Sequence, residues 1–252
     1  MPRFPNTLLV FVLVVVFFSI VRAPALATDF PQKIKISQAS DHTIHMLGAA
    51  VIAEAYKRLG IRTEFIQVPS KRSLTLANLG RADAEVGRVP SVLSDYKNLM
   101  MVDGAPIATV KGVALTISSD CVCKSWDDLK EYRVGIRRGE VFAEKGTAQM
   151  NAVATSSYKQ LFTMLENKRI DVAVGILTSA EIELLSNFKN SDIKVIGKEF
   201  INLPLYHMLN NKYAALAPKL TEVLLEMHQN GDIEKIHSKT IKDIVSNNKS
   251  GQ

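Results

Sequence analysis

The chain after residue 30 alternates short apolar runs with segments whose apolar residues recur at helical spacing. Lys33–Ser37 alternates polar and apolar residues and predicts a first strand, and Arg62–Val68 and Ala84–Val89 predict the next two strands. Apolar residues at helical spacing predict a helix that ends at Gly60, and a second helix begins near Ser70. Strands that alternate with helices predict parallel βαβ units and an α/β fold.

A second unit of the same kind follows later in the chain. Tyr132–Arg137 predicts a strand that leads into a helix from Glu140. Ser156-Ser157 is a typical N-terminal cap for a further helix, and Asp171–Leu177 predicts a buried strand.

The two units share a local pattern. "RADAEVG" at residues 81–87 and "RIDVAVG" at residues 169–175 both read R-x-D-x-x-V-G. Each pattern places a polar turn between the end of a helix and a strand that is buried on both faces. The repeat and its flanking elements predict two α/β lobes of similar build.

Two strand-rich segments without helical spacing, Asp103–Ser118 and Ile193–Leu205, predict two crossings between these lobes. An amphipathic helix is predicted from Pro218, with a short helix around Ile233–His237 after it. The expected organisation is a first lobe at 28–110, a second lobe at 111–196, a return to the first lobe at 197–246 and a flexible tail at 247–252.

The N-terminus has the pattern of a secretory signal peptide over residues 1–27. Arg3 precedes the apolar run Leu8–Val21, and Ala25-Leu26-Ala27 matches a small-x-small cleavage site. The alternative is a membrane anchor, but the run is shorter than the ~20 residues of a spanning helix. The sequence therefore predicts cleavage after Ala27 and export to the periplasm.

Charge, cysteine content and motifs limit the kinds of partner and site that the sequence predicts. The formal charge of +6 includes Arg3 and Arg22, so the mature chain carries +4, with no dense basic run that would indicate nucleic acid. Cys121 and Cys123 form either a disulfide or two thiols, and no histidine spacing suggests a metal site. No hydrolase, metalloprotease or phosphate-loop motif is found, and no cofactor is predicted.

Several spaced motifs carry a resemblance to a known family. These are "KIKIS", "AYKRLGI", "VPSKRSL", "ANLGRADAEVGRV", "SWDDLKEYRVGIRRG", "LFTMLENKRIDVAV" and "LPLYHMLNNKYAALAPKLTEVLLEMHQNGDIEKI". Together they resemble the extracellular solute-binding proteins of family 3, which are periplasmic receptors, many of them serving ABC transporters. The resemblance implies a two-lobe periplasmic-binding-protein fold of type II, with a two-strand hinge and a ligand cleft between the lobes. It implies a monomer that binds a small molecule.

The same resemblance aligns Gly87 and Arg88 with positions that contact the ligand. The usual carboxylate-binding arginine of the family aligns with Asp95, so Arg88 is predicted to replace it as a two-pronged donor. The alternative is a structural ion pair of Arg88 with Glu85 or Asp83. In a regular strand, residues three apart point to opposite faces, which disfavours a Glu85–Arg88 pair.

Further candidates surround the predicted cleft. Arg72 follows the aligned place of an aromatic residue, and Arg137, Gly139 and Glu140 lead into a helix N-terminus that favours an anion. The remaining ligand-binding candidates are Ser40 and Asp41 in the first loop and Tyr206 near the second hinge crossing.

The family's amino-acid binders hold the ligand ammonium with an aspartate whose place is Ile176 here, so the standard amino-acid pattern is incomplete. The expected function is capture of a small polar, carboxylate-bearing solute for an inner-membrane ABC permease, without enzymatic activity. Two alternatives stay open: a sensory module for a membrane kinase or cyclase, and a cleft enzyme such as a dehydratase. The enzyme would need Glu85 or Glu140 in the cleft as acid or base.

Overall fold

Three parallel strands and two helices form the first part of the fold. The computed structural model describes residues 30–40, 43–119, 121 and 123–250, without the side chains of 249 and 250. The predicted signal peptide and Asp41 lie outside the described residues. Strand β1 pairs in parallel with β2 and β3, which confirms the predicted βαβ units. The elements are β1 (Lys33–Ala39), α1 (Ile44–Arg58), β2 (Arg62–Val68), α2 (Ser70–Asn78), β3 (Ala84–Arg88) and β4 (Leu99–Met101).

The second unit repeats this arrangement. After β5 (Ala108–Thr116), strand β6 pairs in parallel with β7 and β8. Its elements are β6 (Val134–Arg137), α3 (Val141–Gly146), β7 (Val153–Thr155), α4 (Tyr158–Glu166), β8 (Val172–Ile176) and α5 (Leu177–Asn187). We call β1–β4 with α1 and α2 the first lobe, and β6–β8 with α3–α5 the second lobe.

One long strand, β9 (Lys194–Asn210), runs through both lobes. Its residues up to Leu205 pair antiparallel with β5, and its last residues pair with β3 and β4. The strand order in the described part of the chain is β2-β1-β3-β9-β5-β8-β6-β7, and β4 also pairs with β9. Strands β5 and β9 are therefore the two crossings that the sequence predicted.

Two helices close the chain, α6 (Ala217–Gln229) and α7 (Asp232–Ser250). The helix predicted around Ile233–His237 is present but longer than expected, because helical spacing of apolar residues continues through Val245 and no proline interrupts it. Helix α7 includes residues 247–250, which were expected to be a tail. No helix among the described residues is long and apolar enough to span a bilayer.

The repeated pattern has a structural reason. The Oδ2 atom of Asp83 accepts a hydrogen bond from the backbone N–H of Lys35 at 2.8 Å, and Oδ2 of Asp171 accepts one from the N–H of Arg133 at 2.9 Å. Each aspartate thus fixes the start of its strand to the neighbouring parallel strand.

Candidate functional site

A pocket of about 450 Å³ lies between the start of α1 in the first lobe and the carboxyl ends of β6 and β7 in the second. Thr43 and Met46 at the start of α1 line it from the first lobe, and Arg137 and Tyr158 line it from the second. Loops at the carboxyl ends of parallel strands are the usual place for ligands in α/β folds. The charged residues at these strand ends are therefore candidates for ligand binding.

Arg88 ends β3, and polar groups of α1 and α2 hold it. Its Nη1 donates to Ser70 Oγ at 2.8 Å and lies 3.4 Å from His45 Nε2, while Nη2 donates to the Ser70 carbonyl at 3.1 Å. The Arg88 side chain is 11% exposed. His45 lies on the first turn of α1, next to the pocket-lining Met46.

The expectation that Glu85 and Arg88 point to opposite faces was wrong. The pairing of β3 with β9 shifts register between these two residues, which is the mark of a β-bulge. The shift lets both side chains lie together, and Arg88 Nη2 is 2.8 Å from Glu85 Oε1. The structural ion pair that was weighed against ligand contact is present.

Glu85 is fully buried, and its second oxygen, Oε2, has no hydrogen-bond partner among the described residues. Its Oε1 also accepts from Ser73 Oγ at 3.2 Å. Burial raises the pKa of the Glu85 carboxyl to about 7, and the nearby Arg88 opposes the shift. Uptake of a proton by Glu85 would change the net charge of the Glu85–Arg88 pair.

The second lobe has a matching group at the end of β6. Arg137 Nη1 lies 3.6 Å from Glu140 Oε1, and its guanidinium carbon is 6.0 Å from the centre of the Tyr158 ring. Tyr158 donates its hydroxyl hydrogen to Glu140 Oε1 at 2.6 Å and accepts from the Ile176 N–H at 2.6 Å. The Arg137 side chain is 26% exposed, more than that of Arg88.

Glu140 is also buried, and its Oε2 has no hydrogen-bond partner in the described part of the chain. Burial raises the pKa of this carboxyl, although Tyr158 and Arg137 act in the opposite direction. Each lobe therefore ends a parallel strand with an arginine beside a buried carboxyl group.

Two predicted ligand-binding residues have clear packing roles. Gly87 is buried, and a Cβ atom there would approach Ile107 Cδ1 to 2.6 Å. Tyr206 is the ladder partner of Arg88 in β9 and packs on an apolar cluster that contains Leu74 and Met208. Both residues support the backbone next to Arg88.

The other candidates lie at the rims of the lobes. Arg72 is exposed on the first turn of α2, and Ser40 is exposed at the end of β1. Gly139 is exposed with a φ of +90°, and its N–H donates to Glu144 Oε1 at 2.8 Å. The backbone anion site predicted at this turn therefore already has an internal acceptor.

Sequence reasoning missed three residues that shape the site: Ser73, His45 and Tyr158. Ser73 lies one turn after Ser70, on the helix that follows β2, so the spacing of the two serines was an available signal. Tyr158 forms hydrogen bonds with Glu140 and Ile176, which are each 18 positions away along the chain, and no local sequence pattern reveals such contacts.

Two further expectations from the sequence concerned the cysteine pair and metal binding. Cys121 and Cys123 are joined by a disulfide. Among the described residues no group of three or more histidine, cysteine, aspartate or glutamate side chains could hold a metal ion.

Comparison with known proteins supports the fold. No protein-family profile matches the chain. An uncharacterized protein of Shewanella oneidensis is 25% identical over 202 residues, which cover 77% of this chain and 76% of that protein.

Two solved structures are similar over most of the chain. The amino acid ABC transporter substrate-binding protein AbpA of Streptococcus pneumoniae, bound to L-arginine, is 16% identical with a TM-score of 0.59, over 85% of this chain and 96% of that one. A histidine kinase sensor domain with similarity to periplasmic binding proteins is 15% identical with a TM-score of 0.59, over 83% and 96%. The chain therefore has the two-lobe α/β fold of periplasmic binding proteins, as predicted.

Proposed function

We propose that this protein captures a small, polar, carboxylate-bearing solute between its two lobes in the periplasm and delivers it to an inner-membrane ABC permease. The observation that carries the proposal is a pair of arginines at strand ends: Arg137 lines the interlobe pocket, and Arg88 contacts His45 on α1, the helix whose first turn borders that pocket. A guanidinium offers parallel N–H donors that match a carboxylate.

The ligand would bind N–H donors that the internal partners of these arginines leave unused. The Nε of Arg88 is buried and has no hydrogen-bond partner among the described residues, so the guanidinium has donor capacity left. Protonation of Glu85 would leave Arg88 with a net charge for an anionic ligand. We therefore favour an acidic solute over a neutral sugar.

Binding is favoured over catalysis. A general acid or base must reach the substrate, and Glu85 and Glu140 are the carboxyl groups that the enzyme hypothesis needs. Their side chains are fully buried and engaged by Ser73 and Tyr158. This supports a non-enzymatic role, in line with the binding and sensor proteins of the same fold.

A thermal-shift screen of amino acids, dicarboxylates, short peptides and sugar acids tests the ligand class. A ligand that binds only the folded state raises the melting temperature by mass action. Arg88→Lys keeps a positive charge beside Glu85 but loses the two-pronged donor, so it should abolish most of the shift.

Arg133→Lys is the matched control. Arg133 is an exposed, ion-paired arginine that directly precedes β6, at the opposite end of that strand from Arg137. It should keep the full shift. Failure of every acid in the panel would contradict the proposed class, and a normal shift in Arg88→Lys would contradict the role of Arg88.

A second candidate is a sensory receptor, which the similarity to the histidine kinase sensor domain favours. Deletion of the gene separates the two roles once a ligand is known. A transport role requires that uptake of the labelled ligand falls, whereas a sensory role requires normal uptake with a lost transcriptional response.

A further inference from the structure

The last helix, α7, is about 28 Å long and carries one continuous apolar face. The buried and half-buried positions recur at helical spacing from its first turn to its fourth, at Ile233, Ile236, Ile241, Ile244 and Val245. A helix of this kind needs apolar partners along its whole length.

The N-terminal half of α7 is fixed to the first lobe and its hinge. Arg58 of α1 donates to Asp232 at 2.9 Å. The Nε2–H of His237 donates to the carbonyl of Ile107, just before β5, at 2.8 Å. Ile233 is buried at 3% exposure.

The C-terminal half reaches the second lobe. The Nδ2 atom of Asn248 donates to Ser186 Oγ of α5 at 3.4 Å. Helix α5 is buried on two sides. Ala180 belongs to the apolar core of its own lobe, whereas Ile182 is 6% exposed and lies outside that core. Ile182 lines the interlobe pocket together with Ile244 of α7.

The same half of α7 therefore borders the candidate site. Ile244 and Asn247 line the pocket that Thr43 and Met46 border from the first lobe and Arg137 from the second. A bound solute there would meet three walls, of which two belong to the lobes and one to α7.

We propose that α7 is a strap and third wall of the binding site: its C-terminal half docks on α5 when the lobes are together and must leave α5 for them to separate. This inference rests on the hinge motion of the two lobes in the proposed function. It makes α7 a third connection between the lobes, in addition to the hinge strands β5 and β9. Ligand entry and release would then depend on undocking of residues 242–248 of α7.

Ile244→Asp tests the strap, because it places a charge on the docked face of α7. Ser238→Asp is the matched control, since it adds the same charge at an exposed position of the same helix. Small-angle X-ray scattering gives the radius of gyration of the ligand-free protein, and hydrogen exchange reports the protection of α5. We expect a larger radius and about tenfold or faster exchange in α5 for Ile244→Asp only.

The strap is refuted if the last turns of α7 exchange freely while the radius of gyration and α5 stay as in the control. If circular dichroism shows that Ile244→Asp does not fold, a chain ending at Lys242 is measured in the same way and must give the same expansion. Both readouts use protein without ligand, so an unsuccessful ligand screen would not affect them.

Discussion

The two lobes present the same pair of residues in opposite order, with different consequences. In the first lobe glutamate precedes arginine, and the 2.8 Å pair is locked by Ser70 and Ser73. In the second lobe arginine precedes glutamate, and Tyr158 rather than Arg137 makes the short contact with the carboxyl group. Arg88 is thus a fixed donor, whereas Arg137 is held loosely and can adapt to a ligand.

The largest expected effect concerns the locked pair. Arg88→Met leaves Glu85 buried without its cation, so the free energy of unfolding should fall by about 3 kcal/mol at pH 8. The loss should be smaller at pH 5.5. The folded-state pKa of Glu85 is raised to about 7, so at pH 5.5 the buried carboxyl is mainly protonated and needs no cation, whereas at pH 8 it is ionised and Arg88 balances its charge.

Urea denaturation at the two pH values measures this difference. The control is Arg88→Met combined with Glu85→Gln, which removes the buried charge and should recover most of the stability at pH 8. All variants keep His207, whose pKa burial lowers to about 4, below the pH range compared. Equal losses at both pH values would show that Glu85 does not take up a proton.

A second comparison concerns two buried tyrosines. Tyr158→Phe removes the short hydrogen bond to Glu140 and the 2.6 Å bond from the Ile176 N–H, and should cost about 2 kcal/mol. Tyr56→Phe in the first lobe removes only the 3.0 Å bond to His207 Nε2, and should cost about 1 kcal/mol. Chemical denaturation of the two variants checks the order, and a larger loss for Tyr56→Phe would contradict it.

The sequence predicted the strand–helix alternation and the repeated aspartate, because both depend on local residue patterns. It could not predict the Glu85–Arg88 contact, since a one-residue bulge leaves no trace in a short apolar strand. The contact of Tyr158 with Glu140 depends on tertiary packing in the same way. The length of α7 was readable from Ile241, Ile244 and Val245, but the polar residues from Asn247 onward suggested a tail.

The two repeated aspartates, Asp83 and Asp171, should differ in how much they contribute to the free energy of unfolding. Burial alone would raise the pKa of Asp83, but hydrogen bonds from Lys212, the Lys35 N–H and Tyr213 lower it. Asp171 is more exposed, and Arg133 is the main cause of its lowered pKa. Asp83→Asn should therefore cost about 1 to 2 kcal/mol and more than Asp171→Asn.

Thermal denaturation between pH 3 and pH 7 checks this order. Because both carboxylates have lowered folded-state pKa values, they stabilise the protein above their unfolded pKa and lose that contribution as pH falls through the folded value. The difference between each variant and the unmodified protein should therefore shrink toward pH 3. A greater loss in Asp171→Asn would contradict the ranking of the two lobes.

The smallest effect on stability should come from Arg137→Met. Tyr158 still donates to Glu140 in this variant, and the 3.6 Å pair is weak, so the free energy of unfolding should fall by at most ~1 kcal/mol. Affinity for an acidic ligand should nevertheless fall by about tenfold or more, because a charge-assisted hydrogen bond is lost. Calorimetric titration beside urea denaturation separates the two quantities. A loss of stability as large as that of Arg88→Met would show that both arginines are structural, and the contrast between a fixed and an adaptable cation would be wrong.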